Sequence, residues 1–492
     1  MSQPKFQDHS LFQDKAFVNG QWVSASSGQT FSVHDPATGA IIGTCPEFSG
    51  TDVETTIQAA ALAQEQFQFS DTRNRAAILV KWAQLMRENR EDLAKLLVWE
   101  NGKPLPEARG EIEYAASFLD WFAGEAIRSY GDVIQPGNPV NRAVTIRQPV
   151  GVCALITPWN FPAAMVTRKA GAAIAAGCAV VLKAPAETPL SALALAELSL
   201  RAGIPKGVFN VVTTQHKTPE VGKILTNSSI VRKISFTGST RVGRLLMNQS
   251  SSTLKKLSME LGGLAPFIVF EDADIDEAVK GAINCKFRGS GQTCVCANFF
   301  LVHKTIYEAF TAKFIGRVKK FRPGNGFDAA TTHGPLIHEA AVAKVMSHVE
   351  DAKSKGGLVA VGGNPMPELG SNFFQPTVIV NANSDMIFTH EETFGPLAGF
   401  IAFSDEPEAI NIVNRADVGL AGYFFSKDVE RCWRVAERLA VGMVGVNTGM
   451  ISDPATPFGG IKQSGFGREG SKYALDEYTV IKTITFATGT RT

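Results

Sequence analysis

Two kinds of apolar spacing divide the chain. Between residues 51 and 102 the segments TDVETTIQAAALAQEQF and RAAILVKWAQLMRENREDLAKLLVWENG show the spacing of helices with one buried face. Thr51 or Asp52 supplies a capping oxygen for the first, and Gly102 before Pro104 closes the second. From about residue 150 the pattern changes. Short β-rich runs (GVCALITP, AVVLKAP, GVFNVV and KISFTG) alternate with helical stretches over PAAMVTRKAGAAIAAG and PLSALALAELSLRAG. A strand–helix–strand succession of this kind predicts an α/β fold with a parallel, doubly wound sheet. Near the C-terminus, YTVIKTITFA alternates β-formers and would be a lone edge strand unless it paired with another sheet.

At 492 residues the chain exceeds one hydrophobic core of ordinary size, so two or three domains are expected. No repeat or low-complexity linker separates them, which predicts interleaved or closely packed domains. Lys and Arg number 48 against 47 Asp and Glu, a net charge of +1 that gives no footprint for nucleic acid or an anionic membrane. No stretch of about 18 unbroken apolar residues occurs. The start, MSQPKFQDHSLFQDKAF, has neither an apolar nor an Arg-rich leader, so a reduced aqueous compartment, the cytoplasm, is expected.

Ligands of doubly wound sheets sit beyond the carboxyl ends of the strands. Three such loops carry suitable chemistry. TPWNFP offers Trp159 as a wall and Asn160 as an amide donor; LKAPAETP sets Lys183 at a strand end; FTGSTRVG places Gly238, Ser239 and Gly243 where a pyrophosphate could approach a helix N-terminus. Each loop alone fits a plain turn equally well, and together they point to a nucleotide cofactor. Downstream, Glu260 precedes a Gly pair in ELGG, as a base projecting into a cleft or as a surface residue on a turn. A helix over DADIDEAVKGAINCKFRGSG then delivers GQTCVCA. Its two cysteines lack the further ligands that zinc needs, so no metal is expected, and seven cysteines in a chain without a secretory leader do not form a disulfide framework. Cys294 and Cys296 remain as buried packing residues or as reactive thiols.

In order along nearly the whole chain, TPWNFP, FTGST, ELGG, GQTC, EETFGP and PFGGIKQSGFGREG resemble the aldehyde dehydrogenase superfamily. ITPWNFPAAMVTRK, CKFRGSGQTCVCAN and GREGSKYALDEYTVIK are similar to its succinate-semialdehyde dehydrogenase branch. The resemblance implies an aldehyde dehydrogenase-like fold with three parts. These are a Rossmann-like doubly wound nucleotide domain (1–127 and 150–256), an α/β catalytic domain (257–455), and a β oligomerisation arm (128–149) with the C-terminal tail (456–492). It implies a homodimer or homotetramer. Cys294 becomes the nucleophile that forms a thiohemiacetal and then a thioester, Glu260 the base for hydrolysis, and Asn160 an oxyanion donor.

Trp159, Lys183, Phe236 and Ser239 match adenosine and pyrophosphate contacts, and Glu392 and Phe394 match residues that position the nicotinamide ribose and ring. Many NAD-preferring members carry a Glu three residues after the lysine. An ungapped count puts Ala186 there, which predicts NADP used at least as well as NAD; a one-residue shift would bring Glu187 into that place. Arg168, Arg288 and Ser452 match groups that hold a substrate carboxylate, which makes succinate semialdehyde the expected aldehyde. Asp453 and Pro454 beside Ser452 depart from the pattern and keep glutarate semialdehyde or another pathway aldehyde in view. A cofactor-independent thiol esterase is the alternative of a different class. Cys296 is expected either to pack or to act as a redox switch by forming a strained disulfide with Cys294.

Overall fold

Eight strands form the first sheet, in the order Gln21–Val23, Ala16–Val18, Phe209–Val212, Val180–Lys183, Val152–Ile156, Val231–Thr237, Lys256–Glu260 and Gly465–Phe466. The structure, a computed structural model, describes residues 4–488. From Phe209–Val212 to Lys256–Glu260 the neighbours are parallel. The strand order reverses between Val152–Ile156 and Val231–Thr237, and at such a point a crevice opens beyond the strand ends. The expected boundary after residue 256 would cut Lys256–Glu260, which lies wholly in this sheet and pairs on its far side with Gly465–Phe466 from the tail.

Helices α1 (Gly50–Phe67), α2 (Thr72–Glu88), α3 (Arg90–Asn101) and α4 (Leu105–Ala126) precede the parallel strands. Ser49, rather than Thr51 or Asp52, caps α1, and the Asp52 carboxylate accepts from Ser49 N at 2.9 Å to complete a capping box. The second predicted helix is two helices. Asn89 leaves helical geometry (φ −104°, ψ 19°) and its Nδ2 turns back onto the Leu85 carbonyl at 2.9 Å. Gly102 ends α3 at φ +84°, as its position predicts. On α4 the buried apolar residues Ala108, Ile112, Ala115, Leu119 and Phe122 recur at helical spacing, with Glu111 on the same face.

The crossovers hold α5 (Ala164–Ala176), α6 (Pro189–Arg201), α7 (Thr218–Asn227) and α8 (Thr240–Ser250). One apolar layer, including the fully buried Trp82, Phe118, Phe122 and Phe209, joins α2–α6 to one face of the sheet; α1, α7 and α8 cover the other. Loss of one such aromatic ring typically costs about 3–5 kcal/mol. α4 lies against α5, which brings its polar residues to the start of α5.

A second sheet runs Leu358–Val361, Thr377–Val380, Leu397–Phe403, Ala297–His303, Ala265–Val269, Ala421–Phe425 and Met443–Val446, parallel except for the first pair. A third, smaller sheet pairs Thr479–Ala487 with Asn141–Pro149 from end to end, with Val133–Ile134 on the far edge. The predicted tail strand therefore finds a partner within its own chain, yet Val133, Ile481 and Phe486 remain exposed.

Candidate active site

The crevice collects the ends of both sheets. Val152–Ile156 runs into Pro158, Trp159 and Asn160 before α5, and Val231–Thr237 into Gly238 and Ser239, whose hydroxyl caps α8. Lys256–Glu260 ends on the Glu260 carboxyl itself. From the other side comes α9 (Ile275–Phe287), then a turn in which Gly289, Ser290 and Gly291 take φ of +58°, +55° and +77°. Ser290 Oγ pins this turn by donating to the Gly334 carbonyl at 2.8 Å, and a Cβ on Gly291 would collide with the Gly395 carbonyl. The turn delivers Cys294 into a cavity of about 210 Å3 lined also by Asn160, Glu260, Glu392 and Phe394.

Asn160 is buried, and its Nδ2 donates to the Gln292 carbonyl at 3.0 Å, which ties the amide to the Cys294 loop. Both carboxyl oxygens of Glu260 are buried without a hydrogen-bond partner among the described residues. Burial, then the Glu469 carboxylate, pushes the Glu260 carboxyl well above the usual range, against the pull of Arg168 and Lys169. Burial likewise pushes the Cys294 thiol up to about 12, opposed by Arg168. Burial thus favours the neutral form of both groups, and Arg168 is the cation that opposes it at each.

Of the residues expected to hold a cofactor, Glu392 and Phe394 line the cavity of Cys294, and the others named for the adenosine side line a second cavity, about 680 Å3, that shares Pro158, Trp159, Gly238 and Ser239 with the first and adds Lys183, Glu187, Phe236 and Arg241. Trp159 meets Phe394 edge-on at 5.6 Å between ring centroids. Glu392 accepts from Gly263 N at 3.4 Å, and burial raises its carboxyl to about 7. The Gly pair after Glu260 serves close approach: a Cβ on Gly263 would stand 2.9 Å from the Cys294 carbonyl oxygen. Two expectations need correction. Gly243 lines neither cavity; a Cβ there would strike the Leu261 side chain, so its smallness seats α8 on the following segment. Ala186 faces a neighbouring cavity of about 370 Å3, whereas Glu187 lines both and lies near the Lys183 amine, favouring its charged form against burial.

Arg288 and Ser452 line a third cavity, about 290 Å3, with Lys103, Glu107, Glu111, Tyr114 and Phe161. The Arg288 guanidinium lies over Phe161 at 5.4 Å from its centroid. Phe161 follows Asn160, so consecutive residues flank this cavity and that of Cys294. Arg168 does not line it, contrary to the expectation of a free clamp. Its guanidinium is buried, paired through Nε with Glu469 and stacked 4.2 Å from the Phe458 centroid. Tyr114, unmarked in sequence, bridges the difference: burial raises its phenol, while Arg168, Arg288 and a hydrogen bond with Ser452 pull it back. Asp453 is exposed, accepts from Ala455 N at 2.8 Å and lines no part of the cavity, which removes its charge from the substrate end. Lys169 and Glu469, also unmarked, form a buried ion pair beneath Glu260, with Lys169 donating to Ser235 Oγ at 3.0 Å.

Cys296 is buried, and its thiol donates to the carbonyls of Gly291 at 3.3 Å and Lys286 at 3.5 Å. Burial raises it and the Lys286 amine opposes the rise. Both Cys294 and Cys296 are free thiols.

A cysteine, an unpartnered carboxyl and a side-chain amide converge at the switch point of a doubly wound sheet, next to a cleft large enough for a dinucleotide. The aldehyde dehydrogenase family model matches residues 22–484, and the chain belongs to that family. It is 54% identical over 477 residues to succinate-semialdehyde dehydrogenase [NADP(+)] 1 of Schizosaccharomyces pombe, covering 97% of this chain and 96% of the relative. Glutarate-semialdehyde dehydrogenase of Pseudomonas putida is 53% identical over 478 residues, covering 97% of this chain and 98% of that one. Among solved structures, succinate-semialdehyde dehydrogenase from Burkholderia pseudomallei superimposes with a TM-score of 0.97 at 51% identity, covering 98% of this chain and all of that one.

Proposed function

We propose that the protein oxidises a short dicarboxylic semialdehyde, succinate semialdehyde foremost, to the dicarboxylate with NADP or NAD. The observation that carries this reading is the cavity beside Asn160 in which Arg288, Tyr114 and Ser452 converge. A planar guanidinium with two hydroxyls suits a carboxylate at the end of a short aldehyde whose other end reaches Cys294. The names of the similar proteins from S. pombe and P. putida support the same substrate class.

In this reading Cys294 gives its thiol proton to solvent water, and the thiolate Sγ bonds to the aldehyde carbon as the carbonyl π pair moves onto oxygen. The oxygen gains charge and is held by Asn160 Nδ2 and the Cys294 N–H. A nicotinamide cofactor, when bound, would supply the hydride acceptor for the oxidation. Trp159, Phe394 and Glu392 would hold the nicotinamide end, while Lys183, Ser239 and Phe236 would hold the other; the joined cavities at the switch point suit such a group. Glu260 then takes a proton from the water that attacks the thioester, and sulfur leaves with its electron pair.

Arg288→Ala is expected to lower kcat/KM for succinate semialdehyde by about 10- to 100-fold, the loss of one charge-assisted contact, mostly through KM. Hexanal should change less than about threefold. Equal losses for both aldehydes would remove the clamp from the reading.

For the cofactor, kcat/KM with NADP is expected to equal or exceed that with NAD. Lys183 and Arg241 supply cations to the cleft, and the S. pombe relative is named for NADP(+). Glu187 is the opposing charge, and a tenfold preference for NAD would reject the assignment. The exposed apolar face and free edge of the third sheet support assembly as a homodimer or homotetramer. Seven free thiols suit a reducing location, the cytoplasm. Cys296 as a redox switch with Cys294 requires its thiol to leave the two carbonyls that now hold it.

A further inference from the structure

The Lys103–Glu111 pair is the most deeply buried ion pair bordering the substrate cavity, and the mechanism above makes no use of it. Their side chains are 4% and 1% exposed. Lys103 follows the Gly102 turn that ends α3, and Glu111 lies in the second turn of α4. Burying two charges is costly unless their hydrogen-bonding capacity is filled. Here it is filled by one short stretch of backbone. Lys103 Nζ contacts Glu111 Oε2 and donates to the main-chain carbonyl of Asn160 at 3.0 Å. Glu111 Oε1 accepts from Ala163 N at 2.9 Å and Ala164 N at 3.3 Å. The Lys103 ammonium also sits 4.5 Å from the centroid of Phe161.

One ion pair therefore grips residues 160, 161, 163 and 164, where the turn after the strand Val152–Ile156 enters α5. From this stretch the Asn160 side chain lines the cavity of Cys294. On the far side, the bond from Asn160 Nδ2 to Gln292 fixes the amide to the nucleophile loop. Resting on the assignment of Asn160 as an oxyanion donor, we propose that Lys103, clamped by Glu111, is a positioning residue for the oxyanion hole. It holds the Asn160 backbone so that the amide stands ready before charge develops. Donors of this kind act by being fixed in advance, so a backbone that drifts loses transition-state stabilisation while ground-state binding is largely retained.

The test is a double-mutant cycle with Asn160. Lys103→Met leaves Glu111 buried and unpaired, so Lys103→Met/Glu111→Gln is made beside it; the Gln carbonyl still accepts from Ala163 and Ala164, and no charge is stranded. Both are assayed for kcat, for KM with succinate semialdehyde and for NADP affinity, in the parent and in an Asn160→Ala background. A fall in kcat of about 10- to 100-fold is expected, less than the loss of an oxyanion donor outright, with KM and NADP affinity within about threefold. In the Asn160→Ala background the same change should alter kcat by less than about twofold. The proposal is overturned if the full factor reappears without Asn160, or if the charge-neutral double variant keeps the parent kcat. If Asn160→Ala alone leaves kcat intact, the oxyanion assignment fails first and the proposal with it, which separates the two failures.

Discussion

Cys294→Ala is expected to lower kcat for aldehyde oxidation by about 10^4-fold or more, the scale seen when a nucleophile is removed from a preorganised site. NADP affinity should stay within about twofold, because sulfur takes no part in holding the cofactor and the void left is smaller than a methylene-rich side chain would leave. No other thiol can substitute. Cys296 is turned onto the Gly291 and Lys286 carbonyls, and Cys285 is buried with its sulfur toward the Val295 carbonyl. Initial rates at saturating aldehyde, with a parallel fluorescence titration of NADP, check both halves. Residual activity above about 1% of the parent would place the covalent chemistry elsewhere. The same thiol sets a pH dependence in the parent. Burial holds it protonated with a value near about 12, so the thiolate fraction, and with it kcat/KM, should climb as pH rises from 6 to 9.

Glu260→Gln should separate the two halves of the reaction. Its orphaned carboxyl oxygens belong to the cavity of Cys294, and its proposed role there is to take a proton from the hydrolytic water. Acylation then proceeds and deacylation stalls. A rapid-mixing experiment is expected to show a burst of reduced cofactor close to one per site, followed by turnover about 10^2- to 10^4-fold slower than the parent. Since burial and Glu469 raise the Glu260 carboxyl, the parent holds it protonated at low pH and its base form grows as pH rises. The parent's deacylation rate should therefore increase with pH, whereas the glutamine variant, which imitates the protonated form, should lose that increase. Absence of a burst would mean that acylation also needs Glu260.

Much of this site was legible because its chemistry sits in short loops at strand ends. The alternation of β-rich and helical runs after residue 150 announces the parallel strands, and the loops holding Asn160, Ser239 and Cys294 follow directly from it. What escaped depends on contacts between segments distant in sequence. Arg168 looks like a free cation in VTRK, but Glu469, some 300 residues on, claims its Nε. Between Ala186, by ungapped count, and Glu187, by a one-residue shift, the sequence left the choice open; it is Glu187 that lines the cleft with Lys183. Gly243 stands in a loop that suits a phosphate but is small because Leu261 packs on it. Lys103, Glu111 and Tyr114 were silent because Lys and Glu ordinarily face water and a tyrosine carries no charge to mark it; the seating of α4 on α5 turns Glu111 and Tyr114 inward, and Lys103, in the link before α4, pairs with Glu111.

The return of the chain to its first sheet has a consequence for synthesis. Gly465–Phe466 supplies the outer partner of the strand ending in Glu260, and Glu469 supplies the counter-charge for Arg168 and Lys169, both buried in the first half of the chain. Both follow, in order of synthesis, every loop that lines the cavity of Cys294. A chain that has reached only those loops carries an open sheet edge beside Glu260 and two inward cations without the Glu469 carboxylate between them. Closing the site is thus a late step for the chain, because the strand and the counter-charge come after the loops they secure.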